Sequence, residues 1–207
     1  MGWTYMRLNT NLPILPNESA LSNQKRSICL INDSFPPVID GVANAVINYA
    51  SVIQRDYGNA TVVTPYYPNA GDSAYPFPVL RYPSIDITKL VGYRAGFPLS
   101  PKLMAQVEGR HIDLIHSHCP ITSTVLARML RQRLHVPLVF TYHTKFDIDI
   151  ANAIHNKQLQ EASIKLLVEN ISACDEVWTV SHGAGENLRS LGYQGEYIVM
   201  PNGVDFP

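Results

Sequence analysis

The segment 141–147 holds a strong candidate for chemistry, because it follows a clear buried-strand pattern at 137–142. His143 should emerge at the end of that strand, where a neutral imidazole can donate or accept a hydrogen bond to a hydroxyl group. Lys145 and Asp147 lie on the same polar segment, which favours a functional histidine over one that only serves packing. The sequence therefore predicts a binding or catalytic role for His143.

A second polar segment, His116-Ser117-His118-Cys119, follows another predicted strand. Side chains alternate across a strand, so His116 and His118 should share one face. No second Cys-x-x-Cys and no His-Glu-x-x-His completes a zinc site, and hydrogen-bonded histidines are the simpler interpretation. A hydrolase built on Cys119 and a histidine is also disfavoured, since the G-x-S-x-G turn of α/β hydrolases is missing from the sequence.

Gly41 lies where a proline-containing loop changes to a helical pattern that starts at Val42. Free amides and the dipole at a helix start attract phosphate, and a side chain at Gly41 would obstruct its approach. A glycine that only helps the helix begin explains the position equally well. Neither G-x-G-x-x-G nor G-x-x-x-x-G-K-[ST] occurs, which argues against a nicotinamide enzyme and a P-loop nucleotide hydrolase.

The composition is typical of a soluble globular protein, with 46% hydrophobic and 16% charged residues and a net charge of -1. Without a cationic excess, no nucleic-acid partner is expected. Three widely separated cysteines imply no disulfide framework, which favours the cytoplasm. The longest apolar runs have the length of strands, and residues 1–25 form a polar extension without the apolar core of a signal peptide.

The elements that position these residues follow a strand–loop–helix rhythm, typical of a parallel sheet covered on both faces. About seven strands are predicted, the first at 26–32 and the last at 197–200, with a clear helix at 122–134. The predicted fold class is α/β, a Rossmann-like doubly wound and mostly parallel sheet. Ligands bind such sheets at the carboxyl ends of the strands, where Asp33, the three histidines and Ser181 should lie. The stretch 83–101 has no clear period.

The predicted helix 122–134 carries Arg128, Arg131 and Arg133 opposite an apolar side. Such a face could contact anionic lipid headgroups at the inner face of a membrane. An ordinary solvated helix face is the simpler interpretation, and membrane contact remains an alternative.

Five motifs in order resemble the N-terminal domain of family-four retaining glycosyltransferases, which have the GT-B fold. The motifs are Phe35-Pro36-Pro37 with Gly41-Val42; Asp113-Leu114-Ile115-His116-Ser117-His118; Thr141-Tyr142-His143-Thr144 with Phe146-Asp147; Val180-Ser181 before Leu188 and Gly192; and Pro201-Asn202-Gly203-Val204-Asp205. Each motif alone is weak, but five in register are specific. The resemblance extends from Arg26 to Pro207.

The resemblance implies two Rossmann-like domains, of which this one shapes the acceptor site and the other holds a nucleotide sugar. It implies that amides around Gly41 and Val42 approach the donor diphosphate and that His143 reaches the transferred sugar near its anomeric carbon. The residues predicted to line the acceptor and sugar site are His116, His118, Tyr142, Lys145, Asp147 and Ser181. No metal or other cofactor is expected, because amides, helix dipoles and basic residues stabilise the leaving diphosphate. Lys145 departs from the family pattern, where acidic or small residues are common.

Residues 26–207 are thus expected to form the acceptor-side domain, with the donor-binding domain absent from this sequence. The chain alone should be inactive, because the charge of the leaving diphosphate would lack its basic clamp. The donor would be a UDP- or GDP-sugar, and the acceptor a lipid or a soluble molecule. A stand-alone module that binds a glycan or lipid without catalysis is the alternative.

Overall fold

The computed structural model of the protein describes residues 25–86, 94–143 and 146–203. Outside them lie nearly all of the predicted N-terminal extension, Lys145, and the Val204-Asp205 end of the last motif. Within the described residues, no helix combines the length and the apolar character needed to cross a membrane.

A seven-stranded sheet forms the centre of the protein, and all its neighbouring strands are parallel. Its strands are β1 (Arg26–Ile31), β2 (Gly58–Pro65), β3 (Val79–Tyr82), β6 (Leu114–Ser117), β7 (Leu138–Tyr142), β8 (Glu176–Thr179) and β9 (Ile198–Val199). A separate antiparallel ribbon contains β4 (Ser84–Asp86) and β5 (Arg94–Gly96). The order across the sheet is β3-β2-β1-β6-β7-β8-β9. The predicted Rossmann-like α/β sheet is confirmed.

Six α-helices lie in the described part of the chain. They are α1 (Gly41–Val52), α2 (Pro101–Glu108), α3 (Thr122–Leu134), α4 (Phe146–Ala153), α5 (Lys157–Ser172) and α6 (His182–Ser190). The bounds of α3 agree with the predicted helix at both ends. Helix α4 and the β4–β5 ribbon were not predicted. The ribbon falls in the stretch 83–101, where prolines and aromatic residues obscure any period.

Side-chain alternation along the strands divides the core between two layers of helices. On one face, Leu30 of β1 packs with Val46 of α1. On the other face, Ile31 packs in a cluster with Leu126 of α3. Both faces of the central strands are therefore apolar, and all five residues of β7 are buried.

The chain leaves β1 towards β2 and β3 on one side of the sheet, and β6 starts the other side. The strand order changes direction between β1 and β6, and the loops that follow these two strands diverge there. This divergence leaves a crevice at the carboxyl ends of the strands. Asp40, Cys119 and His143 lie in the segments that follow β1, β6 and β7. The predicted site residues therefore follow neighbouring strands and lie along the edge of the sheet formed by the carboxyl ends of these strands.

The β4–β5 ribbon lies against the edge strand β3. A Cβ atom at Gly96 would overlap the ring of Tyr82, so only glycine permits this approach. The hydroxyl of Ser84 donates to the carbonyl of Tyr66 at 2.5 Å, which ties the ribbon to the end of β2.

Candidate active site

The start of α1 presents open amides next to a carboxylate. Asp40 is the N-cap residue, and its Oδ1 accepts a hydrogen bond from the amide of Ala43 at 2.7 Å. The first helical residues, Gly41 and Val42, cannot find carbonyl partners within the helix. No atom lies within 4 Å of a Cβ placed on Gly41, so the space beside this amide is open. An anion could approach here, although the charge of Asp40 opposes it.

His118 and His143 contact each other directly. Nδ1 of His118 lies 2.9 Å from Nε2 of His143, within hydrogen-bond distance. His118 is fully buried, whereas His143 is half-buried at the rim. The end of β6 and the segment after β7 are therefore linked by a pair of imidazoles.

His116 lies on the same face as His118, as the alternation along β6 predicted, with ring centroids 4.1 Å apart. Its Nε2 is 2.7 Å from the hydroxyl of Thr141 on the neighbouring strand. Tyr49 of α1 and Trp178 of β8 pack against its ring at centroid distances of 5.4 Å and 5.1 Å. Only 4% of His116 is exposed, so its contact with a ligand would be indirect.

Burial keeps the three histidines neutral at pH 7. It lowers the pKa of His116 to about 3 and that of His143 to about 4. It also lowers the pKa of His118 well below 6.5, and the neighbouring His116 and His143 add to the effect. A neutral imidazole is a hydrogen-bonding group and not a fixed cation.

The loops that carry Gly41 and His143 meet at one edge of the sheet. The charge of Asp40 raises the pKa of His143, against the larger lowering by burial. Tyr49 of α1 lies 5.6 Å from the ring of His118, which contacts His143. The helix start and the imidazole pair therefore belong to one electrostatic environment.

Asp33 is one of the polar strand-end residues singled out above, without a specific role assigned to it. It follows β1 directly, and its Oδ1 accepts hydrogen bonds from Ser123 Oγ at 2.7 Å and Tyr82 Oη at 3.0 Å. Burial raises its pKa, and hydrogen bonds from the side chains of Ser123 and Tyr82 and from the backbone amides of Ser123 and Thr122 oppose that rise. The two amides belong to the start of α3, whose N-cap residue makes no side-chain capping hydrogen bond. The position of Asp33 directly after a buried strand is the feature of the sequence that indicates a place in the site.

Arg81 holds the loop between β1 and α1 in place. Its guanidinium pairs with the carboxylate of Asp72 at 2.8 Å and donates to the carbonyls of Pro36 at 2.7 Å and Pro65 at 2.9 Å. Only 8% of its side chain is exposed. A cavity of about 410 Å³ beside Arg81 is lined by none of the predicted site residues.

Tyr142 and Asp147 lie apart from the imidazole pair. Tyr142 is fully buried in the cluster formed with α5 and α6, and its hydroxyl donates to Asn187 Oδ1 at 2.7 Å. Asn187 Nδ2 in turn donates to Asp147 Oδ1 at 3.3 Å. Alternation points Tyr142 to the other face of the sheet from Thr141, so its predicted contact with a sugar is not supported by its position.

Ser181 caps α6, and its hydroxyl accepts from the amide of Ala184 at 3.1 Å. It is exposed and follows β8 at the same edge of the sheet as His143. A sugar-binding role for Ser181 stays a prediction.

Cys119 does not have the environment of a nucleophile. Its thiol donates to Asn32 Oδ1 at 2.9 Å, and burial raises its pKa well above 9.0. Among the described residues, no three His, Cys, Asp or Glu side chains are arranged to hold a metal ion.

The arginines of α3 are engaged in contacts within the domain. Arg128 donates to Asn170 Oδ1 at 2.6 Å, Arg131 pairs with Asp175, and Arg133 pairs with Glu108 at 3.0 Å. The two carboxylate partners offset the charges of Arg131 and Arg133, which leaves less net positive charge on this helix face than the sequence alone suggested.

Comparison with known proteins agrees with this architecture. Residues 39–206 match Glycosyltransferase Family 4. An α-monoglucosyldiacylglycerol synthase of Streptococcus pneumoniae is 20% identical over 179 residues, which cover 86% of this chain and 40% of that protein.

Solved structures of similar fold include a UDP-GlcNAc 2-epimerase of Methanocaldococcus jannaschii in complex with UDP-GlcNAc and UDP. It has a TM-score of 0.50 and 12% identity, and the match covers 85% of this chain and 46% of that one. A second is UGT89C1 of Arabidopsis thaliana complexed with UDP, with a TM-score of 0.47 and 10% identity, covering 89% of this chain and 50% of that one.

The chain spans 40% of the S. pneumoniae relative and 46% of the epimerase. The family match covers most of the chain, from the loop before α1 to the last motif. The resemblance expected from five ordered motifs is confirmed, and the chain belongs to Glycosyltransferase Family 4 as an N-terminal GT-B-like domain.

Proposed function

We propose that this chain is the acceptor-side half of a retaining glycosyltransferase, which transfers a sugar from a UDP- or GDP-sugar to an acceptor hydroxyl. The observation that carries the proposal is the convergence of the α1 start and the His118–His143 pair at the crevice of the sheet. A second, donor-binding domain would complete the site above this edge. Family membership supports the transferase chemistry.

His143 is the proposed contact to the transferred sugar. Its neutral imidazole can exchange hydrogen bonds with sugar hydroxyls, and burial keeps it uncharged at pH 7. Its Nδ1 is covered in this structure, so contact with a sugar requires a local rearrangement of the rim. The amides of Gly41 and Val42 would stabilise charge on the diphosphate as its bond to the sugar breaks.

A lipid acceptor is the form of the proposal that the S. pneumoniae relative supports, since that protein is named for a glucosylated diacylglycerol. A nucleotide sugar as the donor is supported by the M. jannaschii structure, which holds UDP-GlcNAc and UDP in a similar fold. Asp147, Ser181 and Lys145 remain proposed acceptor or sugar contacts.

A transfer assay tests the proposal. A protein that joins this chain to a family donor-binding domain is incubated with UDP- and GDP-sugars and diacylglycerol vesicles, and products are identified by mass spectrometry. Transfer is expected from the two-domain protein, and His143→Ala should lower it by about 100-fold, the usual effect of removing one polar contact to the transition state. His111→Asn, at an exposed histidine, is the control.

Two results would contradict this function. Undiminished transfer by His143→Ala would remove the role given to His143. Tight binding of a glycan or lipid with no transfer in any form would favour the stand-alone binding module.

Peripheral membrane contact at the inner leaflet through Arg128, Arg131 and Arg133 is a separate proposal. Co-sedimentation with anionic vesicles at low and high salt tests it, because contacts between exposed charges weaken with salt. No binding to anionic vesicles at low salt would make this helix face an ordinary surface, and equal binding by the wild type and an Arg133→Gln variant would exclude Arg133 from the contact.

A further inference from the structure

The contact between His118 and His143 restricts where both rings carry their protons. Nδ1 of His118 and Nε2 of His143 lie 2.9 Å apart, and two nitrogens at this distance need one proton between them. Each ring has a lowered pKa and is neutral at pH 7, so each holds one proton on one of its two nitrogens.

Only two arrangements satisfy this contact. If His118 donates from Nδ1, then Nε2 of His143 accepts and the proton of His143 stays on Nδ1. If His143 donates from Nε2, then Nδ1 of His118 accepts and the proton of His118 stays on Nε2. The two rings must therefore adopt the same tautomer, both Nδ1–H or both Nε2–H.

The two remaining nitrogens, Nε2 of His118 and Nδ1 of His143, decide between these arrangements. Both are buried without a hydrogen-bond partner among the described residues. Nε2 of His118 belongs to a fully buried ring packed against His116 and Tyr49, at 4.1 Å and 5.6 Å between centroids. Either arrangement leaves one of these nitrogens as an N–H without a partner, on His118 or on His143, and that costs more in the fully buried ring of His118.

The surroundings of His143 favour the same arrangement. His143 is half-buried at the rim, where a small movement of its ring would bring an N–H on Nδ1 to a ligand or to solvent, whereas His118 is fully buried. With Nε2 of His143 accepting from His118, the only nitrogen of His143 that can hold its proton is Nδ1.

We infer that His118 is a positioning residue that holds His143 as the Nδ1–H tautomer and makes Nδ1 of His143 a hydrogen-bond donor. A neutral donor at this place suits a sugar oxygen or a phosphate oxygen that gains negative charge during transfer. That consequence rests on the proposed function, whereas the tautomer itself does not.

Nuclear magnetic resonance of the 207-residue protein labelled with ¹⁵N in its seven histidines tests the inference directly at pH 7. Long-range ¹H–¹⁵N correlations distinguish protonated from unprotonated ring nitrogens, and His118→Asn and His143→Asn assign the two rings. Protonated Nδ1 and unprotonated Nε2 are expected on both. A protonated Nε2 on either ring would overturn the inference.

Two variants of His118 separate positioning from packing. In His118→Asn, the side-chain amide lies near the former Nδ1 and can still donate to His143, so the Nδ1–H form should persist. In His118→Leu the donor is lost, and His143 should show Nε2–H or a mixture. An unchanged Nδ1–H form in the leucine variant contradicts the role of His118. If that variant does not fold, the wild-type tautomers still decide.

The control is His111→Asn. His111 is exposed and has a φ of 49°, a backbone conformation that asparagine tolerates well. This change should leave the signals of His118 and His143 in place.

The outcome is distinguishable from that of the proposed function. In the two-domain enzyme, His118→Leu should lower kcat with little change in the donor KM, and His118→Asn should restore it. If the expected tautomers are found but no sugar is transferred, the positioning role of His118 is kept and the transferase function is contradicted. If sugar is transferred but His143 carries its proton on Nε2, the transferase function is kept and the positioning role is contradicted.

Discussion

The hydroxyl of Tyr82, at the end of the edge strand β3, donates a 3.0 Å hydrogen bond to the carboxylate of Asp33, which follows the central strand β1. Ser123 of α3 donates to the same oxygen at 2.7 Å. One buried carboxylate thereby connects the edge of the sheet, its centre and the start of α3.

We expect Asp33→Asn to lower the free energy of unfolding by about 1–3 kcal/mol, the cost of leaving buried polar groups without partners. The new amide would direct its N–H groups towards the backbone amides of Thr122 and Ser123, which now donate to the carboxylate. Urea denaturation measures the change. Asp56→Asn, at an exposed ion pair, should leave stability nearly unchanged, and equal effects of the two substitutions would contradict the connecting role of Asp33.

Replacing Arg81 should loosen the loop before α1. Arg81→Met removes the ion pair to Asp72 and the hydrogen bonds to Pro36 and Pro65, and it leaves the carboxylate of Asp72 without its partner. Breaking a buried pair on one side costs about 3–5 kcal/mol, and the partial exposure of Asp72 places this case at the lower end.

Hydrogen exchange measures the effect of Arg81→Met locally, and the amide of Val38, which donates to the carbonyl of Phe35, should lose protection more than the amides of β7. Arg55→Met at the surface is the matched control, since its side chain is 64% exposed. Uniform loss of protection across the sheet would mean that Arg81 serves global stability alone.

The buried histidines should make the protein less stable in mild acid. The pKa of His143 is about 4 and that of His116 about 3, both below the ordinary 6.5, because burial disfavours the charged ring. Between pH 6.5 and 4 the unfolded chain binds protons that the folded protein does not. The free energy of unfolding therefore falls as the pH falls, by about 1.4 kcal/mol per pH unit for each such histidine.

Urea denaturation at pH 6 and pH 5 measures this slope. His116→Gln keeps a polar group near Thr141 but does not titrate, so its slope should be shallower than that of the wild type by about 1.4 kcal/mol per pH unit. Parallel slopes would show that His116 becomes charged in the folded protein.

Gly41→Ala distinguishes a phosphate-binding glycine from one that only starts a helix. The space beside Gly41 is empty, so alanine should leave stability unchanged or raise it slightly. In the two-domain enzyme, the added methyl group should weaken donor binding by about tenfold, a loss of roughly 1.4 kcal/mol. Gly71→Ala, also in open space, is the control, and unchanged donor affinity in Gly41→Ala would favour the helix-entry role.

The sequence predicted the elements that depend on local pattern. Buried parallel strands are short apolar runs, and α3 has an apolar side that defines its length, so both could be predicted. The shared face of His116 and His118 followed from alternation along β6. The same alternation along β7 places the side chains of Thr141 and Tyr142 on opposite faces of the sheet, so it would have argued against Tyr142 as a neighbour of the histidines.

The contacts that organise the site could not be predicted in this way. Asp33 meets Tyr82 and Ser123 across 49 and 90 positions of the chain, and Arg81 meets Pro36 across 45. Single-sequence patterns hold no information on such pairs. The direct contact of His118 with His143 likewise depends on the register of β6 and β7.

Gly96 connects the ribbon, through Tyr82, to the buried carboxylate of Asp33. Because a Cβ at this position would overlap the ring of Tyr82, any larger residue must displace either the ribbon or the phenol that holds Asp33. A methyl group added at position 96, in the ribbon beside the edge strand, would therefore change the acidity of the Asp33 carboxylate through the displaced hydroxyl of Tyr82.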